Sequence, residues 1–268
     1  MTEPTTTPFR VLMDRLETTS DEASSLSIPA DWMQGRTTYG GLTAAISLAA
    51  VERANPGLPP LRSAMVSFIG PAGGDVRVAH EILRRGKSAV FANADLHAEK
   101  GIAARSTFTF GAARASVFDR DFIETPDVPG PDEAENFFPR DGVGPAFTKH
   151  FDVRLAKGAR PVSGSSEHDH FLWVRFRDAP PAGMVSLLAL ADMPPPAMLP
   201  MFTEFAPVSS ITWMVNFLVD EPATEEGWWL LQSRAEHARE GYSSQDMFIW
   251  NADMKPVVAG RQSVAIFA

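Results

Sequence analysis

Beyond residue 39 the chain sets one long apolar run ahead of several short segments in which apolar and polar residues alternate. The same succession returns after residue 145. Gly40 to Ala54, GGLTAAISLAAVERA, is alanine-rich and about four turns long. Glycines open it and Asn55, Pro56 and Gly57 close it, which predicts a buried helix. Four segments of strand character follow at Leu61 to Gly70, Val76 to Arg84, Ser88 to Ala98 and Ile102 to Phe110, parted by turn residues at 71–75, 85–87 and 99–101. This order predicts a helix followed by an antiparallel meander.

Residues 112–145 are rich in proline, aspartate and glycine and lack periodicity, as a connection between two units does. Strands are then predicted at Thr148 to Leu155 and His170 to Arg177, and an apolar helix at Gly183 to Ala191, stopped by Pro194, Pro195 and Pro196. Four more strands are predicted at Val208 to Val219, Trp228 to Glu236, Ser243 to Asn251 and Pro256 to Phe267. Laid over each other, the halves place Phe68 on Phe217, Gly86 on Gly241 and Phe110 on Phe267. The fold class expected is α+β. Two similar subdomains, 1–111 and 146–268, are bridged by 112–145; each is an antiparallel sheet wrapped around a long helix, and the two pair as a pseudo-dimer within one chain.

Charge narrows the partners. The chain of 268 residues carries 24 Lys and Arg against 33 Asp and Glu, a net charge of −9, which argues against a nucleic-acid backbone. It has no cysteine, so disulfide frameworks, thiolate zinc sites and cysteine nucleophiles are excluded. The longest charge-free stretches, 37–51 and 206–219, fall short of the roughly 18 to 20 apolar residues that span a bilayer. The opening MTEPTTTPFR has Glu3 and two prolines where a secretory signal needs a basic start and an apolar run. A cytoplasmic protein with no membrane partner is expected.

Familiar catalytic signatures are missing: the chain has no GxSxG, no HExxH and no GxGxxG opening a helix after a strand. Gly86-Lys87-Ser88 has the end of a P-loop, but Glu81 stands where that motif needs glycine, so it reads as a turn. His168-Asp169-His170 beside Ser165, Ser166 and Glu167 fits a solvated loop better than a metal site. No metal is expected. Met193, Met198 and Met201 lie among prolines and read as flexible packing near an apolar ligand.

One carboxylate stands apart. Asp192 is the sole charge between Ala179 and Thr203 and falls at the C-terminal end of the second helix. The helix dipole disfavours it there by about 0.3 to 1 kcal/mol, and burial would raise its pKa. Either loop amides offset that cost, making the residue structural, or the residue is functional. In 208–219 alternation sets Ile211, Trp213, Val215 and Phe217 on one face and Ser210, Thr212, Met214 and Asn216 on the other. Gln262 shares a face with Val264 and Ile266, where a buried amide needs partners.

Ordered blocks along most of the chain resemble the acyl-CoA thioesterase II family. They are Tyr39-Gly40-Gly41 opening the first helix, LRSAMVSFIGPA, LRRGKSAVFANADLHAEKGIAARSTFTFG, LLALADMPPPA, VSSITWMVNFLVD and DMKPVVAGRQSVAIFA. The resemblance implies a double hotdog fold and carries the family's catalytic aspartate to Asp192, its hydroxyl residue to Ser210 and its glutamine to Gln262. Members commonly have threonine and an aspartate-histidine pair at the hydroxyl block, where this chain has Ser210, Ile211, Thr212 and Trp213, so Thr212 stays open as the working hydroxyl. The family's glutamine is usually followed by an acidic residue and glycine; here Ser263 and Val264 follow.

That resemblance implies an acyl-CoA substrate and no cofactor. Asp192 would take the proton of a water held by Ser210 and Gln262, while amides near Gly40 and Gly41 receive the oxyanion. Arg36, Arg62, Arg84, Arg85 and Lys87 are available for the substrate's phosphates, and an apolar tunnel lined by Trp213, Phe217 and the methionine-rich loop would take the acyl chain. Two alternatives share the fold: a binding protein without turnover, and an enoyl-CoA hydratase, which needs an aspartate-histidine pair. Edge strands and apolar surface leave room for assembly into a homo-oligomer.

Overall fold

A computed structural model describes residues 6–138 and 144–268. The first five residues of the N-terminal stretch and 139–143 of the predicted connection lie outside the described residues. Residues before Gly40, where the sequence predicted no element, form α1 (Phe9–Asp14), β1 (Glu17–Ser20), β2 (Ala23–Ile28) and the small hairpin of β3 (Met33–Gln34) and β4 (Thr37–Thr38). Then α2 (Gly40–Ala54) leads into β5 (Leu61–Phe68), β6 (Gly74–Arg85), β7 (Ala89–Ala98) and β8 (Gly101–Gly111). A short β9 (Glu135–Asn136) precedes β10 (Phe151–Lys157), β11 (Asp169–Phe176), α3 (Met184–Ala191), β12 (Val208–Phe217), β13 (Trp229–Arg239), β14 (Tyr242–Asn251) and β15 (Pro256–Ile266).

The two expected sheets are joined edge to edge. Thirteen strands run in the order β1-β2-β6-β7-β8-β5-β12-β15-β14-β13-β11-β10-β9, and the seam is an antiparallel pairing of β5 with β12 that sets Met65 opposite Met214. Each of these strands would otherwise leave a row of unpaired backbone groups at the edge of its half, and the seam satisfies both rows. Counting outward from the seam corrects one alignment of the halves. Met65 pairs with Thr107 and Met214 with Arg261, so Phe110 corresponds in the ladder to Val264 and not to Phe267.

The two helices the sequence predicted, α2 and α3, lie against the inner face. Leu42, Ile46, Leu48 and Val51 of α2 are buried with its alanines, and the helix packs on β6, β7 and β8. Its buried hydroxyls are satisfied locally: Thr43 donates to the carbonyl of Tyr39 at 3.2 Å and Ser47 to that of Thr43 at 3.0 Å. Of these two, α3 is not the long helix expected. The proline run limits α3 to 8 residues, which pack on β11 and on α2. At the helix crossing a methyl on Gly41 would lie 2.2 Å from the carbonyl oxygen of Ala189, so only glycine allows the approach.

The connection is no free linker. Ile123, Val128 and Ala134 pack on the outer face against Phe171, Trp173, Trp228, Leu230 and Trp250, and Trp173 Nε1 donates to the carbonyl of Pro129 at 2.8 Å. The solvated-loop reading of His168-Asp169-His170 holds for the exposed His168 and fails for the two residues after it. Asp169 and His170 open β11, pairing with Arg234 and Ser233, and His170 is buried.

Candidate active site

Asp192 caps the C-terminus of α3, and the cost anticipated there is offset by the other helix. The first turn of α2 abuts its carboxylate: a methyl on Gly40 would lie 2.5 Å from Asp192 Oδ2. The carboxylate thus leaves one helix at its negative end and enters the positive end of another. Burial nevertheless pushes Asp192 up to about 7, against the lowering pull of the Gln262 amide and the Gly41 backbone N–H. Tyr39, the residue before α2, is buried and donates to the carbonyl of Ala189 at 2.6 Å. Burial and the charge of Asp192 hold its phenol above the usual range.

Gln262 meets Asp192 directly, its Nε2 donating to Asp192 Oδ1 at 2.8 Å. Behind it stands Gln245, a residue not singled out from the sequence. Ala197 N donates to Gln245 Oε1 at 2.8 Å, and Gln245 Nε2 donates to Gln262 Oε1 at 3.1 Å. The direction of this relay is forced. A backbone N–H can only donate, so Gln245 must turn its oxygen to Ala197 and its nitrogen to Gln262, which then presents its own nitrogen to Asp192. Both glutamines are buried. The available signal for Gln245 was its place in alternation with Met247 and Ile249 on β14, which marks an amide facing the core.

A bulge separates Ser210 from Thr212. The register of β12 on β15 runs Ser210 to Val264, Thr212 to Ser263 and Trp213 to Gln262, so Ile211 is the extra residue. Facing residues share a side of the sheet, as do alternate residues of one strand, so Ser210 joins Val264 and Gln262 on the inner face while Thr212 faces out. The single alternating face expected for Ser210 and Thr212 is therefore broken by the bulge. Thr212 is exposed and Ser210 half-buried. No hydrogen bond joins Ser210 to Asp192 or Gln262; what places it near them is register alone.

Gly40 and Gly41 stand against the carboxylate side as described, and Trp213 and Phe217 are buried on the inner face. Met193 is buried, Met198 half-buried and Met201 exposed. The five basic residues do not gather at Asp192. Arg85, Val90, Phe110 and Leu61 form one row across four strands, which puts Arg62, Arg84, Arg85 and Lys87 at the end of β5 away from Phe68. Phe68 touches the Gly40 position, so those four lie about 20 Å away along the strand. Arg62 is moreover paired with Asp220. Arg36 stands at the near end, in the hairpin leading to Tyr39. The histidine run is dispersed: His168 Nδ1 lies 3.0 Å from the carbonyl of Ala235, Asp169 Oδ1 accepts from Gln232 at 2.7 Å, and the His170 ring has no partner among the described residues. Among the described residues no cluster of three metal-ligating side chains forms, and no helix is long and apolar enough to cross a membrane.

Comparison with known proteins gives this geometry a family. No curated protein matches the chain in sequence. Solved structures do match in fold. A conserved protein of unknown function with a hot dog fold from Alicyclobacillus acidocaldarius is 21% identical, with 96% of this chain and 98% of that one covered and a TM-score of 0.85. The acyl-CoA thioesterase II TesB2 from Mycobacterium marinum is 18% identical, with 96% and 97% covered and a TM-score of 0.76. The dehydratase domain of RzxB from Pseudomonas fluorescens is 11% identical, with 96% and 99% covered and a TM-score of 0.52, so the fold by itself does not choose the chemistry. Sequence families do choose: the acyl-CoA thioesterase N-terminal domain matches residues 28–111 and the C-terminal domain residues 124–266. With both domains matched in order along a hotdog fold, the chain belongs to the acyl-CoA thioesterase family.

Proposed function

We propose that the protein hydrolyses an acyl-CoA to free acid and CoA by direct attack of a water activated by Asp192, with Gln262 and Ser210 holding that water. The observation that carries the reading is the 2.8 Å bond from Gln262 to Asp192 at the N-terminal end of α2. A thioester carbonyl is electrophilic enough for water to attack without a covalent enzyme intermediate. Asp192 Oδ1 is engaged by Gln262, leaving Oδ2 to take the water proton. Gln262 keeps its second N–H for the water, because Gln245 occupies its oxygen. Amides at the start of α2, next to Gly40 and Gly41, receive the oxyanion. The collapsing intermediate expels the thiolate, which takes its proton from Asp192.

We read the chain as a double hotdog, with 1–111 and 146–268 as its two units, 112–145 as the connection, and the Met65–Met214 pair on the axis that relates them. The setting is taken to be cytoplasmic. A hydratase would need a histidine with the carboxylate, and the side chain bonded to Asp192 is instead Gln262. Release of free thiol from acyl-CoAs of several lengths tests the reading, with Asp192→Asn and Gln262→Ala alongside. Turnover by the wild type and a loss of about 100-fold or more in Asp192→Asn are expected. Equal, slow release by all three proteins would reject it.

A further inference from the structure

Tyr39 takes no part in the chemistry proposed for Asp192, yet its side chain reaches the same helix end. It is the N-cap residue of α2 and makes no side-chain bond to that helix. Its hydroxyl donates instead to the carbonyl of Ala189, in the last turn of α3, at 2.6 Å. That carbonyl needs a donor from outside its helix. In the helical ladder it would accept from Met193 N, but Met193 N turns to the carbonyl of Leu190 at 3.0 Å. The cap residue of one helix thus closes the C-terminus of the other. The arrangement is reciprocal, because Asp192, the cap residue of α3, lies against the first turn of α2.

The phenol is held on this line from several sides. Phe147 stacks on its ring at 4.2 Å with the planes 5° apart, and Phe151 meets its edge at 5.9 Å. Tyr39 N donates to the carbonyl of Trp32 and the Tyr39 carbonyl accepts from Thr43 N, each at 3.1 Å. Gly41 clears the path: a methyl there would lie 2.2 Å from the Ala189 oxygen and 2.7 Å from the Tyr39 hydroxyl. The phenolic proton is committed to Ala189, whose carbonyl can only accept. Burial and the charge of Asp192 keep the phenol protonated. Tyr39 is therefore no acid for the departing thiolate.

We propose that Tyr39 is a positioning residue for the hydrolysis: its bond to Ala189 holds the last turn of α3 on the first turn of α2, and so fixes where Asp192 meets the thioester. The inference rests on the reading given to Asp192. Elsewhere α2 and α3 pack through apolar side chains, whose attraction has no direction, whereas a hydrogen bond weakens steeply as its angle opens. Asp192 follows Ala189 within one helical turn, so a slip of the first carries the second. Among the described residues, the groups that bear on the Asp192 carboxyl besides burial are the Gln262 amide and the Gly41 N–H. Without the phenol, the turn swings the carboxylate toward water, and its proton affinity falls.

The test compares wild type with Tyr39→Phe, which keeps the ring and its stack but loses the donor, and with Phe147→Leu, which loses the stack but keeps the donor. Thiol release from acyl-CoAs gives kcat and KM, and carboxyl carbon NMR, with the Asp192 signal assigned through Asp192→Asn, gives the titration midpoint of Asp192 without turnover. Tyr39→Phe is expected to lower kcat by about 10- to 100-fold with little change in KM. Its Asp192 midpoint should fall below that of wild type by about 1 pH unit or more. Phe147→Leu should melt lower than wild type with that midpoint unmoved. A Tyr39→Phe protein that keeps either the kcat or the midpoint of an active wild type overturns the proposal. An equal midpoint shift in both variants also overturns it, by assigning the effect to packing. A wild type without turnover on any acyl-CoA overturns the Asp192 reading itself, while the midpoints still decide whether Tyr39 places the carboxylate.

Discussion

Gly40 and Asp192 leave no space between them: a methyl on Gly40 would lie 2.5 Å from Asp192 Oδ2 and 3.0 Å from Phe68 Cζ. Glycine is what lets the start of α2 reach the carboxylate. Gly40→Ala is expected to push the carboxylate out of line with Gln262, lowering kcat/KM by about 100-fold, since small misplacements of reacting groups are costly. Overpacking should also remove about 1 to 3 kcal/mol of stability. Steady-state kinetics and denaturant melts measure both. Unchanged kinetics in Gly40→Ala would detach this contact from the chemistry.

The pH dependence follows from the raised carboxyl of Asp192. A general base works only when deprotonated, so kcat/KM is expected to rise with pH and to reach half its plateau near 7. Stability should run the other way. The folded protein binds the proton more tightly than the unfolded chain between about pH 4 and 7. The group's contribution is thus full below about 4 and is lost as pH climbs through 7. Asp192→Asn should therefore melt higher than wild type at pH 8 and lose that advantage at pH 4. Melting curves at the two pH values decide it.

Gln245 is a positioning residue, since it reaches Asp192 only through Gln262. Gln245→Leu strands Ala197 N and Gln262 Oε1 without partners, at about 1 to 3 kcal/mol each. With its oxygen released, the Gln262 amide is free to turn, so kcat should fall about tenfold with little change in KM. A fall confined to KM would assign Gln245 to substrate binding instead.

Much of the fold was legible because it rests on periodicity and on glycine and proline. The bounds of α2 were readable from glycines ahead and Asn55-Pro56-Gly57 behind, and the end of α3 from its prolines. Asp192 was visible as an isolated charge, and Gln262 as an amide on an apolar face. What could not be read depends on long-range pairing. The β5–β12 seam joins strands about 150 residues apart in sequence, and no local pattern encodes which edge meets which. The bulge at Ile211 reverses a face by a single residue, which alternation counted along β12 alone cannot reveal. Gln245 acquires its meaning only once β14 and β15 are in register.

Register also separates the two hydroxyl residues. Ser210 shares the inner face with Gln262, whereas Thr212 is exposed on the outer face opposite Ser67. Ser210→Ala is expected to lower kcat about tenfold, and Thr212→Ala to leave both rate and stability within about 0.5 kcal/mol of wild type. The same kinetic assay decides between them, and the reverse pattern would move the working hydroxyl to 212.

His170 gives an independent check on the core beneath β11. Both its ring nitrogens are buried and without a partner among the described residues, and burial lowers its pKa to about 4. The unfolded chain takes up that proton near pH 6.5 and the folded one resists it until about 4. The stability that neutral His170 contributes is therefore present above about 6.5 and lost as pH falls to 4. His170→Leu removes the titration while keeping an apolar side chain in the same space. Its melting temperature should depend less on pH across that window than the wild type's. Superimposable pH profiles for the two proteins would mean that His170 is hydrated and titrates normally in the folded state.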